Sequence, residues 1–205
     1  ARDAAIYASE IARHAGGAAV PAAAPPTGAP VRLPVVVRQE ATVERIVNGL
    51  DRYSHCLVLD PAHRYRSWEH CFDYFHTLKL GFLQDAAIPD IACVHLAFYL
   101  ASWGMLRGNA FLLQKDFTVL RPVVRILLDP IYNDLWRNDE MTLPPAQWRT
   151  RAELAMKLTS AIEHELRGVR YLNSRGVLRN ATPSMTLVTK IMLGTTGCIP
   201  AYDRY

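Results

Sequence analysis

Hydrophobic positions in this chain recur mostly at spacings of three and four, the pattern of helices that bury one face. Val43, Ile46, Val47 and Leu50 stand at i, i+3, i+4 and i+7, and Thr42 precedes them as an N-cap. The stretch from Leu57 to Arg66, with Asp60-Pro61 inside, reads as a loop. Ser67 then caps a helix from Trp68 to about Leu80, apolar at Trp68, Cys71, Phe72 and Phe75 and polar at Glu69, Asp73 and His76. Pro89-Asp90 opens the longest apolar run of the chain, Ile91 to about Leu106, which is hydrophobic nearly all round and belongs in an interior. Its polar groups are ordered: His95, Tyr99 and Ser102 share one stripe at i, i+4 and i+7. The run closes on Trp103-Gly104-Met105-Leu106-Arg107-Gly108-Asn109, where two glycines make a chain reversal around an arginine.

Beyond it, Ala110–Lys115 is a short helical piece, and a helix starting near Thr118 carries Pro122 in its first turn. Asp129-Pro130 starts one or two turns through Trp136. After a polar connection, Pro144-Pro145 opens what should be the longest helix, to about Leu172, with core positions Trp148, Leu154, Leu158, Ile162, Leu166 and Val169. Asn173–Ala181 is a basic loop, and Thr182-Pro183 caps a final helix that Gly194 should end. Only Val31–Val37 looks strand-like, and no repeat of fixed period occurs. The expected class is all-α, a single compact multi-helix domain around a central apolar helix at about 91–106.

The N-terminal part changes that picture. Fifteen of the twenty residues from Ala15 to Pro34 are Ala, Pro or Gly, a composition that favours an extended linker over a packed element. Residues 1–38 are therefore read as an N-terminal helix and linker, an arm through which a homo-oligomer could form. Residues 39–205 are read as the helical domain, continuing beyond Tyr205.

Half of the 205 residues are hydrophobic and a fifth are charged, enough for a substantial core. The net charge of +4 fits an acidic partner such as DNA or another phosphate-bearing ligand. Cys56, Cys71, Cys93 and Cys198 form no C-x-x-C pair, so reduced thiols in a cytoplasmic protein are expected. The 91–106 run is too short to span a bilayer, so no membrane is expected.

Candidate chemistry falls in four places. The stripe of His95, Tyr99 and Ser102, with Trp103, Arg107 and Asn109 beyond it, offers a proton acceptor, hydroxyls, a stacking surface and an anion-binding fork. Glu69, Asp73 and His76 could share a proton, but no second motif completes a metal set, so neither metal nor cofactor is expected. Arg167, Arg170, Arg175 and Arg179 cluster with Asn173, Ser174 and Asn180 in and around a basic loop beside a helix start, a setting that suits phosphate. The last candidate is C-terminal, where Lys190 precedes Leu193-Gly194-Thr195-Thr196-Gly197 and Asp203 follows.

This C-terminal segment resembles the helix-hairpin-helix DNA glycosylases. The resemblance implies a hairpin at 193–197 that grips phosphate through backbone amides, with Lys190 as nucleophile and Asp203 stabilising charge on the sugar. The hairpin proline and middle glycine of that pattern are absent here, and Lys190 precedes the hairpin rather than following it. The phrases YLASWGMLRGN and TKIMLGTTGCIPAYDRY are similar to those of uncharacterised bacterial proteins, which implies no activity.

The leading expectation is a nucleic-acid-associated helical protein, glycosylase-like, with Asp203, Lys190 and His95 as catalytic candidates. Tyr99, Ser102, Trp103, Arg107, Asn109, Arg175 and Arg179 are the candidates for substrate binding. The alternatives are a small-molecule enzyme or binding protein with its pocket at His95, Tyr99, Trp103 and Arg107, and a non-catalytic oligomeric interaction protein. Nucleotide-binding glycine loops and the G-x-S-x-G and H-E-x-x-H motifs are all missing.

Overall fold

The computed structural model describes residues 36–82, 86–137 and 144–202. Six α-helices make up most of that: α1 (Val36–Leu59), α2 (Arg66–Gly81), α3 (Asp90–Ser102), α4 (Arg121–Leu128), α5 (Pro145–Arg167) and α6 (Met185–Thr195). Short 3₁₀ turns at Phe111–Gln114, Phe117–Leu120 and Pro130–Trp136 join α3, α4 and α5. A single antiparallel hairpin, β1 (Arg170–Leu172) and β2 (Leu178–Asn180), stands between α5 and α6. Among the described residues the protein is all-α apart from this ribbon. Two compact units divide the chain, residues 1–45 and 46–205. Of the first, only the α1 segment from residue 36 is described, so the arm and its linker lie otherwise outside the described residues.

Within the second unit, α2, α3 and α6 pack on one another, and α4, α5 and the turn at 117–120 close over them. The apolar run becomes α3, which ends at Ser102 rather than near Leu106 and buries Ala92, Cys93, Leu96, Tyr99 and Leu100. Its other flank, Ile91, Val94 and Phe98, stays exposed among the described residues, so α3 is not surrounded on every side. The most deeply enclosed helix is α6, where eight of eleven residues are buried. Its buried threonines are satisfied locally. Thr189 and Thr195 donate to the carbonyls of Met185 and Ile191, four residues back, and Thr196 just beyond the helix donates to Met192 O in the same way.

Several boundaries differ from the sequence reading. Thr42 lies inside α1 rather than capping it, because the helix begins at Val36 and runs on to Leu59. Its face of Ile46, Val47 and Leu50 is left open, each of these 49–61% exposed. Ser67 is buried in α2, its hydroxyl donating to Arg64 O, and Tyr65 is the N-cap. Helix α5 stops at Arg167, one residue before Gly168, making α1 the longest. Ser184, not Thr182, caps α6 by accepting from Leu187 N, and Gly194 sits within the helix. Its backbone lies against the Tyr99 ring, where a Cβ would come 2.6 Å from Cδ1.

Candidate functional site: a basic cleft beside the hairpin

Two stretches far apart in sequence meet beside the start of α6. The first is the reversal after α3. Gly104 and Gly108 take φ of +77° and +59°, a region that residues with a Cβ seldom enter, and between them the exposed Arg107 lays its guanidinium over Gly104, 3.3 Å from where a Cβ would stand. This loop is anchored at its root: Met105 N donates to Leu100 O at 2.8 Å, and Trp103 stacks on Tyr65 with ring centres 5.4 Å apart. From below, Lys190 Nζ donates to Trp103 O at 3.1 Å.

The second stretch is the hairpin, formed where the sequence predicts a basic loop. Asn173 organises its turn, its side-chain oxygen accepting from Arg175 N and Val177 N at 3.0 and 2.9 Å. Tyr171 and Arg179 are directly opposite in register, so they share one face of the ribbon. Ala181 N donates to Val169 O and extends the pairing to the base of the ribbon. Arginine side chains on a pinned two-stranded turn are better placed than on a free loop, because less freedom is lost when they bind.

Two adjoining cavities lie between these stretches. One, of about 330 Å³, is bordered by Arg107, Asn109, Phe111, Tyr171, Thr182 and Ser184. The other, of about 420 Å³, is bordered by Asn109, Gln114, Tyr171, Asn173, Arg175 and Arg179. Asn109 and Tyr171 belong to both, which makes them a shared wall rather than two separate sites. Arg107, Arg175 and Arg179 are exposed, and no acidic side chain lines either cavity among the described residues. The α6 N-terminus adds its partial positive charge at Ser184. Chemically the cleft can bind an anion through guanidinium forks, accept a flat group on Tyr171, and hydrogen-bond polar edges through Asn109, Thr182 and Ser184.

Of the residues singled out from sequence, Arg107, Asn109, Arg175 and Arg179 therefore come together. The remaining members of the stripe do not line either cavity. His95 is half-buried and stacks on Tyr74 at 4.1 Å, and burial together with the nearby His70 holds its pKa below the usual histidine value. Tyr99 is fully enclosed beneath Gly194, its hydroxyl without a hydrogen-bond partner, and burial pushes its pKa up. Ser102 Oγ donates to Phe98 O within its own helix, and Trp103 is taken up by Tyr65 and by Arg64, whose guanidinium carbon lies 6.0 Å from its ring.

Of the C-terminal candidates, Lys190 and residues 193–197 are arranged for packing. Lys190 is 5% exposed, with its ammonium on a backbone carbonyl. Residues 193–197 are the end of α6 and the turn that stops it, where Gly194, Thr195 and Thr196 are buried and the Thr196 and Gly197 amides donate to Met192 O. That geometry offers phosphate no exposed row of amides. Asp203 lies outside the described residues.

On the polar face of α2, Asp73 is exposed, whereas Glu69 and His76 are committed within the protein. Glu69 accepts from Tyr53 Oη at 2.8 Å and from Arg66 at 2.5 Å, and His76 sits between Phe72 and Trp136. Among the described residues no group of three His, Cys, Asp or Glu could hold a metal ion. No helix among them is long and apolar enough to cross a membrane, and Cys56, Cys71 and Cys93 form no disulfide. Ser184 and Gln114 were missed from the sequence. Ser184 carries a local signal, a serine three residues before Leu187 at N-cap spacing, whereas nothing local marks Gln114.

Fold and cleft together define an all-α domain whose polar recess is lined by arginines and, among the described residues, no carboxylates. No protein-family model matches the chain, and no curated protein or solved structure is significantly similar to it.

Proposed function

We propose that this protein binds phosphate-bearing ligands, nucleic acid foremost, through the cleft between the 104–112 loop and the β1–β2 hairpin. One observation carries the reading: Arg107 and the Arg175/Arg179 pair, some seventy residues apart in sequence, border adjoining cavities that share Asn109 and Tyr171. Guanidinium groups match phosphate oxygens in pairs, and the neighbouring helix start favours the same charge. The overall charge of +4 works in the same direction by raising the local concentration of polyanions. Glycosylase-like bond cleavage has less behind it, since Lys190 is enclosed and committed to Trp103 O.

The test is equilibrium binding of a fluorescent oligonucleotide across a range of salt. The logarithm of affinity should fall linearly with the logarithm of salt concentration, through release of condensed counterions. Replacing Arg175 and Arg179 together by Ala should weaken binding and flatten that slope by about 1.4 for a single strand, roughly 0.7 for each phosphate that is no longer neutralised. Absent binding at low salt, or binding indifferent to salt, would overturn the reading.

A further inference from the structure

The cleft holds more than positive charge, and the additional group is an aromatic ring. Tyr171 is half-buried, borders both cavities, and rests against the buried Phe111 ring with centres 6.2 Å apart. Its register with Arg179 fixes a flat face and a cation side by side on one surface of the hairpin. The Asn173 turn holds Arg175 at the end of the same ribbon. Phosphate alone would make no use of such a ring.

We infer that the cleft accepts an unpaired nucleotide of a single strand, its base stacked on Tyr171 and its phosphates on Arg175 and Arg179. This deepens the phosphate-binding reading and rests on it. Cavities of about 330 and 420 Å³ are recesses on the scale of a small ligand, and they can admit a base turned out from its strand. In a duplex the faces of the bases are covered by their neighbours, so Tyr171 would have nothing to stack on. Asn109, Thr182 and Ser184 border the recess beside Tyr171 and supply amide and hydroxyl groups for the edge of a base. The position of Tyr171 on the shared wall gives one ring to one base.

The test compares a short labelled oligothymidine strand with its oligodeoxyadenosine duplex, using the full chain at low salt. The single strand should bind more tightly. Tyr171→Leu, which keeps bulk but removes the π face, should weaken single-strand binding about 5- to 150-fold, the span of one base–aromatic stack, and leave the salt slope unchanged. Tyr171→Trp should retain binding and show quenched indole emission on titration, which guards against a leucine variant that fails through misfolding. Undiminished binding by Tyr171→Leu, or a preference for duplex, would overturn the stacking inference. If the Arg175→Ala/Arg179→Ala salt effect survived that result, the phosphate reading would stand without it. No binding of either probe would remove both.

Discussion

Helix α6 and the hairpin that precedes it are neighbours in sequence and both carry basic and hydroxyl side chains, yet they use them in opposite ways. In α6, Thr189, Lys190 and Thr195 are buried and each donates to a backbone carbonyl of the protein. In the hairpin, Arg175 and Arg179 are exposed on a turn whose own backbone is already satisfied by Asn173. A donor saturated from within holds structure together. One left at the edge of a recess, on a rigid support, is available to a ligand. Residue type alone does not separate the two cases; enclosure does.

The contrast is broken most forcefully at Gly194. Any side chain there meets the Tyr99 ring, which is itself fully enclosed between α3 and α6 and has nowhere to retreat. Gly194→Val should therefore cost about 3 kcal/mol or more, the upper end for overpacking a close contact, and lower the melting temperature by roughly 6–12 °C for a chain of this size. The Arg175→Ala/Arg179→Ala pair should change stability by no more than about 0.5 kcal/mol, as surface substitutions do. Chemical denaturation of both proteins checks the two figures together. Equal losses would mean that the hairpin arginines are structural after all.

Lys190 tests the same division at a single residue. Its ammonium supports Trp103 O, at the root of the loop that presents Arg107 and Asn109. Lys190→Met keeps the length of the buried stem and removes the donor, leaving that carbonyl short of a partner. The expected loss is about 1–3 kcal/mol in stability. Oligonucleotide affinity, measured well below the melting temperature, should change little with its salt slope intact, because Lys190 borders neither cavity. A variant as stable as the parent but unable to bind would instead make Lys190 a ligand-contacting group, as the helix-hairpin-helix resemblance implied.

What the sequence disclosed follows the same line. Helical periodicity and cap signals located the six helices of the described residues, and the twin glycines foretold the reversal at 104–108, because these signals are local in the chain. Enclosure is not local, and there the reading strayed. The 91–106 run was expected to be covered all round, yet Ile91, Val94 and Phe98 are exposed. Glycines at 194 and 197 looked like a phosphate-gripping hairpin, although the first makes room for Tyr99 and the second, at φ +67°, ends the helix. The hairpin at 170–180 was hidden because its strands have only three residues each, too short for alternation to register. Arg107, Asn109, Arg175 and Arg179 were each visible as candidates. That they face one cleft depends on β1 and β2 pairing, which no local spacing encodes.

The smallest effect concerns the hydroxyl of Tyr99, which separates a stripe residue that serves packing from one that serves a ligand. The ring is enclosed by Gly194 and neighbours Trp103, 6.1 Å away between centres, but the hydroxyl has no hydrogen-bond partner. Burying a hydroxyl without compensation opposes folding, and burial also pushes its pKa up, the usual sign of a phenol held away from water. Tyr99→Phe removes that opposing group and leaves the ring packing intact. Stability should be unchanged or rise by up to about 1 kcal/mol, and oligonucleotide affinity should stay at the parental level. Denaturant midpoints and the salt titration, run side by side, decide it. A clear loss of stability would show that the hydroxyl is satisfied in solution. A loss of binding at unchanged stability would return Tyr99 to the site and blur the division between enclosed and available polar groups.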